Sequence, residues 1–160
     1  MEITKKFYFD AAHRLHRVRT GHPCRNLHGH RYEVEVIIRS DEDLGFGGTM
    51  LIDYHDLAPI KNYLNNVFDH ATLVSRSDDQ LVLLTSSLDD LAAGASEIRE
   101  ATLSVFGKSA LLDVEETTAE CLSMFLKNVF TKLLKDSLPS HAKIGVRVSE
   151  TPNTSACANF

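Results

Sequence analysis

Residues 28–39 read HGHRYEVEVIIR. Polar and apolar residues alternate through this stretch with period two, the pattern of a strand with one buried face. His28, His30, Tyr32, Val34, Val36 and Ile38 fall on one face, and Arg31, Glu33, Glu35 and Arg39 on the other. Two histidines therefore head a row of core side chains. Residues 5–15, KKFYFDAAHRL, alternate in the same way, with Phe7, Phe9, Ala11, His13 and Leu15 opposite Lys6, Tyr8, Asp10 and Arg14. A loop holding Gly21, Pro23 and Cys24 joins the two stretches. Antiparallel pairing across it brings the end of the first strand to the start of the second. His13, His28 and His30 then meet at one end of the sheet.

Working outward, residues 41–49, DEDLGFGGT, are a turn-rich connection, and MLIDY is a short extended piece. HDLAPIKNYLNNVF carries Leu57, Ile60, Leu64, Val67 and Phe68 at helical spacing, with Pro59 in the first turn where proline is tolerated. FDHATLV reads as the loop that follows. Residues 75–113 mix helical and extended signals and predict a helix near 78–93 and a short strand near 109–113. Thr117 with Glu120 fits a capping box opening a second long helix, whose apolar stripe is Ala119, Leu122, Leu126, Val129 and Leu133. AKIGVRVSE predicts a last strand with Ile144, Val146, Val148 and Glu150 on one face, so a carboxylate ends an apolar row. Helices segregated onto one face of an antiparallel sheet give an α+β fold.

Composition narrows the function. A hydrophobic share of 43% beside 24% charged residues suits one globular domain over residues 1–160. The net charge of −5 argues against a general nucleic-acid binder. No apolar run is long enough to span a membrane, and MEITKKFYFDAAH lacks the apolar core of a signal peptide, so a cytoplasmic protein is expected. Cys24, Cys121 and Cys157 are an odd set that implies no disulfide framework; in a reducing compartment a loop cysteine reads as chemical. From Ala11 to Arg31 the chain holds Arg14, Arg17, Arg19, Arg25 and Arg31 with no acid. That stretch is either a solvated basic loop or an anion site suited to a phosphorylated small molecule.

Three imidazoles on inward faces suit zinc, which takes histidine nitrogens and, in catalytic sites, often three protein ligands with one position open. A single histidine on an apolar face is usually a satisfied core residue; three converging, two of them in HGH, are not. Gly29 keeps a side chain from standing between the two flanking imidazoles. Cys24 is either a fourth ligand that closes the site or a free thiol beside the metal. Asp69–His70 is either a proton relay or a polar pair at a helix end. An inward Glu150 needs donors. A 2-amino-4-oxo pyrimidine ring offers two adjacent N–H groups that match its carboxylate; a salt bridge to Arg147 is the alternative.

FYFDAAHRL, CRNLHGHRYEV, LIDYHDL, FDHATL, TTAE and VSETPNTSA occur in an order that resembles the 6-pyruvoyltetrahydropterin synthase and 6-carboxytetrahydropterin synthase superfamily. The resemblance covers most of the chain outside an insertion at about 75–112. It implies the tunnelling fold: a four-stranded antiparallel sheet with two main helices on one face, three subunits closing a barrel and two trimers stacking as a homohexamer. It implies His13, His28 and His30 as Zn2+ ligands, Cys24, Asp69 and His70 as catalytic groups, and Glu150 as the substrate-binding pterin anchor. Active sites in this superfamily lie between subunits, so Asp69 and His70 would serve a neighbour's Cys24. The three residues between Cys24 and His28 resemble the bacterial 6-carboxytetrahydropterin synthases. The reaction implied takes 7,8-dihydroneopterin triphosphate to 6-carboxy-5,6,7,8-tetrahydropterin, acetaldehyde and triphosphate, and feeds 7-deazaguanine and queuosine synthesis. Two other readings stand beside it: a pyruvoyl-forming or other pterin side-chain lyase, and a non-catalytic zinc or pterin-binding protein with Cys24 as fourth ligand. Val74 stands where the superfamily often has asparagine, and Thr117 where proline is common.

Overall fold

The structure is a computed structural model that describes residues 1–41, 49–85, 102–104 and 107–160. The predicted first hairpin is its centre. β1 (Glu2–His13) and β2 (His28–Arg39) pair antiparallel, with His13 opposite His28 and Ala11 opposite His30. Their inward rows alternate as the sequence requires: Phe7, Phe9, Tyr32, Val34, Val36 and Ile38 are buried.

The chain between Arg39 and β3 (Ala71–Ser75) supplies the first helix, α1 (Ala58–Tyr63). A 3-10 turn at Tyr54–Leu57 precedes it and a π-helical turn at Leu64–Phe68 ends it. The continuous helix expected over 55–68 is thus three short pieces. Leu51 and Ile52 of the expected extended piece are buried but pair with no strand, because Asp53 already turns the chain by accepting from the His55 N–H. The predicted turn-rich connection at 41–49 lies mostly outside the described residues.

Further along are α2 (Asp79–Thr85), β4 (Thr102–Ser104), β5 (Gly107–Leu112), α3 (Ala119–Leu133), β6 (Lys143–Thr151) and β7 (Thr154–Ala158). The part of the predicted 78–93 helix beyond Thr85 lies outside the described residues.

Among the described residues the strands form one seven-stranded sheet in the order β4-β5-β3-β1-β2-β6-β7. This corrects the expectation of a four-stranded antiparallel sheet. The β1-β2-β6-β7 half is antiparallel, but β3 joins β1 in parallel and β5 joins β3 in parallel. ATLVS, which the sequence suggests is loop, is one of the added strands. It is buried at Ala71, Leu73, Val74 and Ser75, so it shows the near-continuous burial of a parallel strand and no alternation. Ile60, Leu64 and Phe68 from the first helical region and Leu122, Leu126 and Phe130 from α3 share one core with the inward rows of β1, β2 and β6. The two main helices therefore cover the same sheet face, as expected.

The start of α3 also departs from expectation. Thr118, not Thr117, caps it, accepting from the Cys121 N–H. Thr117 is fully buried and committed elsewhere: its hydroxyl donates to the Arg14 carbonyl and its own carbonyl faces His13.

Arg14 ties the β1–β2 loop to the start of α2. Its guanidinium donates to both Asp78 carboxylate oxygens, at 2.7 and 2.5 Å, and Asp78 is 3% exposed. Burial works against the charged carboxyl, but the Arg14 bonds and the Leu81 N–H outweigh it and hold Asp78 below the usual range. A depressed folded value means the contribution is full above the unfolded value, about pH 4, and fades as pH falls through the lower folded one. Asp78→Asn should therefore cost about 3 kcal/mol at pH 7 and progressively less below about pH 4. Urea unfolding of both proteins across that range measures it.

Candidate active site

Three imidazoles meet where β1 ends and β2 begins. Their ring centroids lie 4.7 Å (His13–His28), 5.2 Å (His13–His30) and 4.9 Å (His28–His30) apart. One nitrogen from each falls within 4.8 Å of the others. The outer nitrogens of two rings are already engaged. His13 Nδ1 lies 2.9 Å from the Thr117 carbonyl and His28 Nδ1 lies 2.8 Å from the Asn26 carbonyl. A carbonyl only accepts, so each Nδ1 carries the proton and each Nε2 keeps a lone pair.

His13 Nε2 is buried and has no hydrogen-bond partner. A buried polar nitrogen left bare is costly, and a cation held among the three lone pairs removes that cost. Burial, helped by the neighbouring imidazoles and only partly opposed by the Thr117 carbonyl, lowers the His13 pKa to about 4, and burial with His28 lowers His30. Both shifts favour the neutral imidazole, the form that binds metal. The residues fit a zinc ion.

Gly29 does something other than expected. It points to the opposite face of β2 from the imidazoles, and a Cβ there would meet only the Ala11 carbonyl, at 3.6 Å. It lines two clefts of about 550 Å³ each that meet at Gly29 and His30. One holds Asp10, His70 and Lys108; the other holds Tyr8, Arg31 and Glu150.

In the first cleft, His70 Nδ1 lies 2.9 Å from Asp69 Oδ2, which makes the pair a real contact. His70 sits at φ 58°, a left-handed conformation uncommon for a residue with a Cβ. Asp10 holds it. Its carbonyl accepts from the His70 N–H at 2.6 Å, and its own N–H donates to Asp69 Oδ1 at 3.1 Å. Lys108 Nζ adds a bond to the Asp69 carbonyl at 2.8 Å. Burial opposes ionisation of Asp69, yet the Asp10 N–H and the His70 ring bring its pKa below the ordinary value. The His70 imidazole is left 79% exposed, free to meet another molecule.

In the second cleft, Glu150 keeps one buried carboxylate oxygen, Oε1, without a partner. The expected alternative partner, Arg147, bonds Glu35 instead. Burial, then the charge of Glu120, raises the Glu150 pKa, while His28 and the Ala119 N–H at the start of α3 pull it down. Tyr32, which the sequence placed only in the core row, is fully buried with an unpartnered hydroxyl. Its ring stacks on Phe9 and meets His13 and His30 edge-on. No sequence signal separates it from an ordinary core tyrosine.

Cys24 is a free, half-buried cysteine in the 3-10 turn Pro23–Arg25. It is not part of the three-histidine group and lines neither cleft. The basic stretch is largely spoken for. Arg14 and Arg17 pair with Asp78 and Glu115, Arg25 donates to the Val18 carbonyl, and Arg31 lies over the Tyr8 ring near Asp10, leaving Arg19 exposed.

The family described as 6-pyruvoyl tetrahydropterin synthase matches residues 2–159. The chain belongs to this family. The resemblance read from the six motifs is thereby borne out. A 6-carboxy-5,6,7,8-tetrahydropterin synthase from Haemophilus influenzae is 32% identical, covering 98% of this chain and 96% of the relative. A protein of the same name from Rickettsia bellii is 29% identical, covering 96% of each. Among solved structures, an uncharacterized protein from Wolinella succinogenes aligns over 99% of this chain and 97% of its own, with a TM-score of 0.76 and 22% identity. The 6-pyruvoyl tetrahydropterin synthase of Plasmodium vivax aligns over 100% and 98%, with a TM-score of 0.69 and 19% identity. Likeness at that identity establishes the shared fold. Among the described residues no helix is long and apolar enough to cross a membrane.

Proposed function

We propose that the chain is a zinc-dependent, cytoplasmic lyase. It converts 7,8-dihydroneopterin triphosphate to 6-carboxy-5,6,7,8-tetrahydropterin, acetaldehyde and triphosphate, in the synthesis of 7-deazaguanine and queuosine. The observation that supports this most is the three-histidine cluster, with its outer nitrogens engaged and a bare buried His13 Nε2 facing inward, in a chain whose relatives are named for this product.

His13, His28 and His30 would hold the ion. When bound, zinc acts as a Lewis acid on the substrate side-chain oxygens and makes the adjacent C–H protons more acidic. The Glu150 carboxylate would accept the paired ring N–H groups of the pterin, which supply its unpartnered Oε1. Cys24, as thiolate, would take a proton on one face of the side chain. His70, oriented by Asp69, would move protons on the other. Because Cys24 lines neither cleft of a single chain, a homohexamer in which one subunit's Asp69–His70 completes another's site is part of the proposal.

Glu150→Gln keeps the size and loses the charge. KM should rise about 10- to 100-fold with zinc content unchanged, the worth of a charge-assisted bond. Burial raises the Glu150 pKa, so ionisation near pH 7 costs stability, and the variant should melt at the same temperature or higher. The reading itself is tested by turnover: zinc-loaded protein should release acetaldehyde and triphosphate from 7,8-dihydroneopterin triphosphate, and metal-free protein should release neither.

A further inference from the structure

Glu116 has no part in the chemistry above, yet it is a buried acid, 8% exposed, with every bond well placed. Oε1 accepts from His16 Nδ1 at 3.1 Å and from the Thr117 N–H at 3.2 Å; Oε2 accepts from the Arg17 N–H at 2.8 Å. Two of these three donors belong to the β1–β2 loop, some hundred residues away in sequence. The far side of the His16 ring faces the Ser77 hydroxyl at 3.4 Å.

The anchored residues are the ones that matter for the thiol. Leu15 donates its N–H to the Cys24 carbonyl at 2.8 Å, and Arg25 donates to the Val18 carbonyl at 2.9 Å. Residues 15 and 18, which hold the turn carrying Cys24, therefore flank residues 16 and 17, which Glu116 holds. The next residue along, Thr117, accepts from His13 Nδ1 and donates to the Arg14 carbonyl. One dipeptide thus grips both a metal-site imidazole and the loop that bears the thiol.

We infer that Glu116 is a positioning residue that fixes the Cys24 thiol relative to the three-histidine cluster. The bonds are charge-assisted and at least partly buried, so removing the carboxylate weakens the hold on two loop donors at once. Glu115, one residue before, also pairs with Arg17, but its side chain is 74% exposed and such a surface pair holds little. A displacement of about 1 Å at a reacting group costs about 100-fold in rate.

The kinetic part of this inference rests on the proposed pterin chemistry; the mechanical part does not. Glu116→Gln and His16→Ala attack the anchor from its two sides, and His16→Ala leaves Glu116 with both backbone donors should the first variant fail to fold. Zinc content, kcat, KM and the rate of iodoacetamide alkylation at Cys24 are measured in each, with Cys157 on β7 as internal reference. The expected result is unchanged zinc, faster alkylation of Cys24 but not Cys157, and kcat lower by about 10- to 100-fold with KM within about twofold. Wild-type alkylation of Cys24 in both variants overturns the inference. So does a loss of activity that tracks loss of zinc. If the wild-type protein does not turn over the pterin, the alkylation rates still decide whether Glu116 anchors the thiol turn, and the failure belongs to the proposed function alone.

Discussion

His28→Ala should abolish both metal retention and turnover. Purified wild-type protein is expected to hold about one zinc per chain, bound at three imidazoles. His28 is the ligand best suited to the test. It is half-buried at the mouth of β2, and its one other bond runs to the Asn26 carbonyl two residues away, so little of the fold depends on it. Losing even an outer partner of a ligand lowers metal affinity about 10- to 100-fold, and losing the ligand itself should exceed that. The missing charge stabilisation is worth several kcal/mol, or about 1,000-fold in rate. Elemental analysis after dialysis against a mild chelator, with a melting curve to show an intact fold, measures it. A variant that keeps its zinc would place the ion elsewhere.

Cys24→Ala should separate the two meanings of the cysteine. In the structure Cys24 stands apart from the three-histidine group, on a turn held by its own backbone bonds to Leu15 and His22. Its removal is expected to leave zinc content unchanged and lower kcat by about 100- to 10,000-fold, the range for one positioned acid–base group. A fourth ligand behaves in the opposite way: the variant would lose zinc in step with activity, and the site would be a closed structural clip. Cys24→Ser adds a finer reading, since a hydroxyl keeps the size of the group but ionises far less readily.

The three-histidine cluster was legible because it lies on two strands with strict period-two alternation. His13, His28 and His30 sit in the same rows as Phe9, Tyr32 and Val34, and antiparallel pairing leaves them nowhere else to go. Asp69 and His70 were legible as neighbours. What the sequence hid was the clasp from Asp10 and Lys108 that holds His70 at positive φ, because it spans 59 and 39 residues. Hydrophobic periodicity says nothing about such distant polar bonds.

The same limit hid Glu116 and misplaced the start of α3. TTAE fits a cap at either threonine, and tertiary contacts with His13 and Arg14 claim Thr117 and leave Thr118 for the helix. The sheet was underestimated for a different reason. ATLVS is a parallel strand with no polar face, and TSACA is a short edge strand whose apolar residues are small and consecutive, so neither alternates clearly. Both are added to an alternating core that the sequence displays plainly.

The most direct test is mass-spectrometric analysis of the products formed when zinc-loaded protein meets 7,8-dihydroneopterin triphosphate. The expected result is 6-carboxy-5,6,7,8-tetrahydropterin with acetaldehyde and triphosphate, formed at a rate that falls away in Cys24→Ala. A pyruvoyl-bearing pterin would contradict the proposed product while leaving the family and the site in place. No product from intact, metal-loaded protein would contradict the lyase itself and leave a protein that binds zinc without this chemistry.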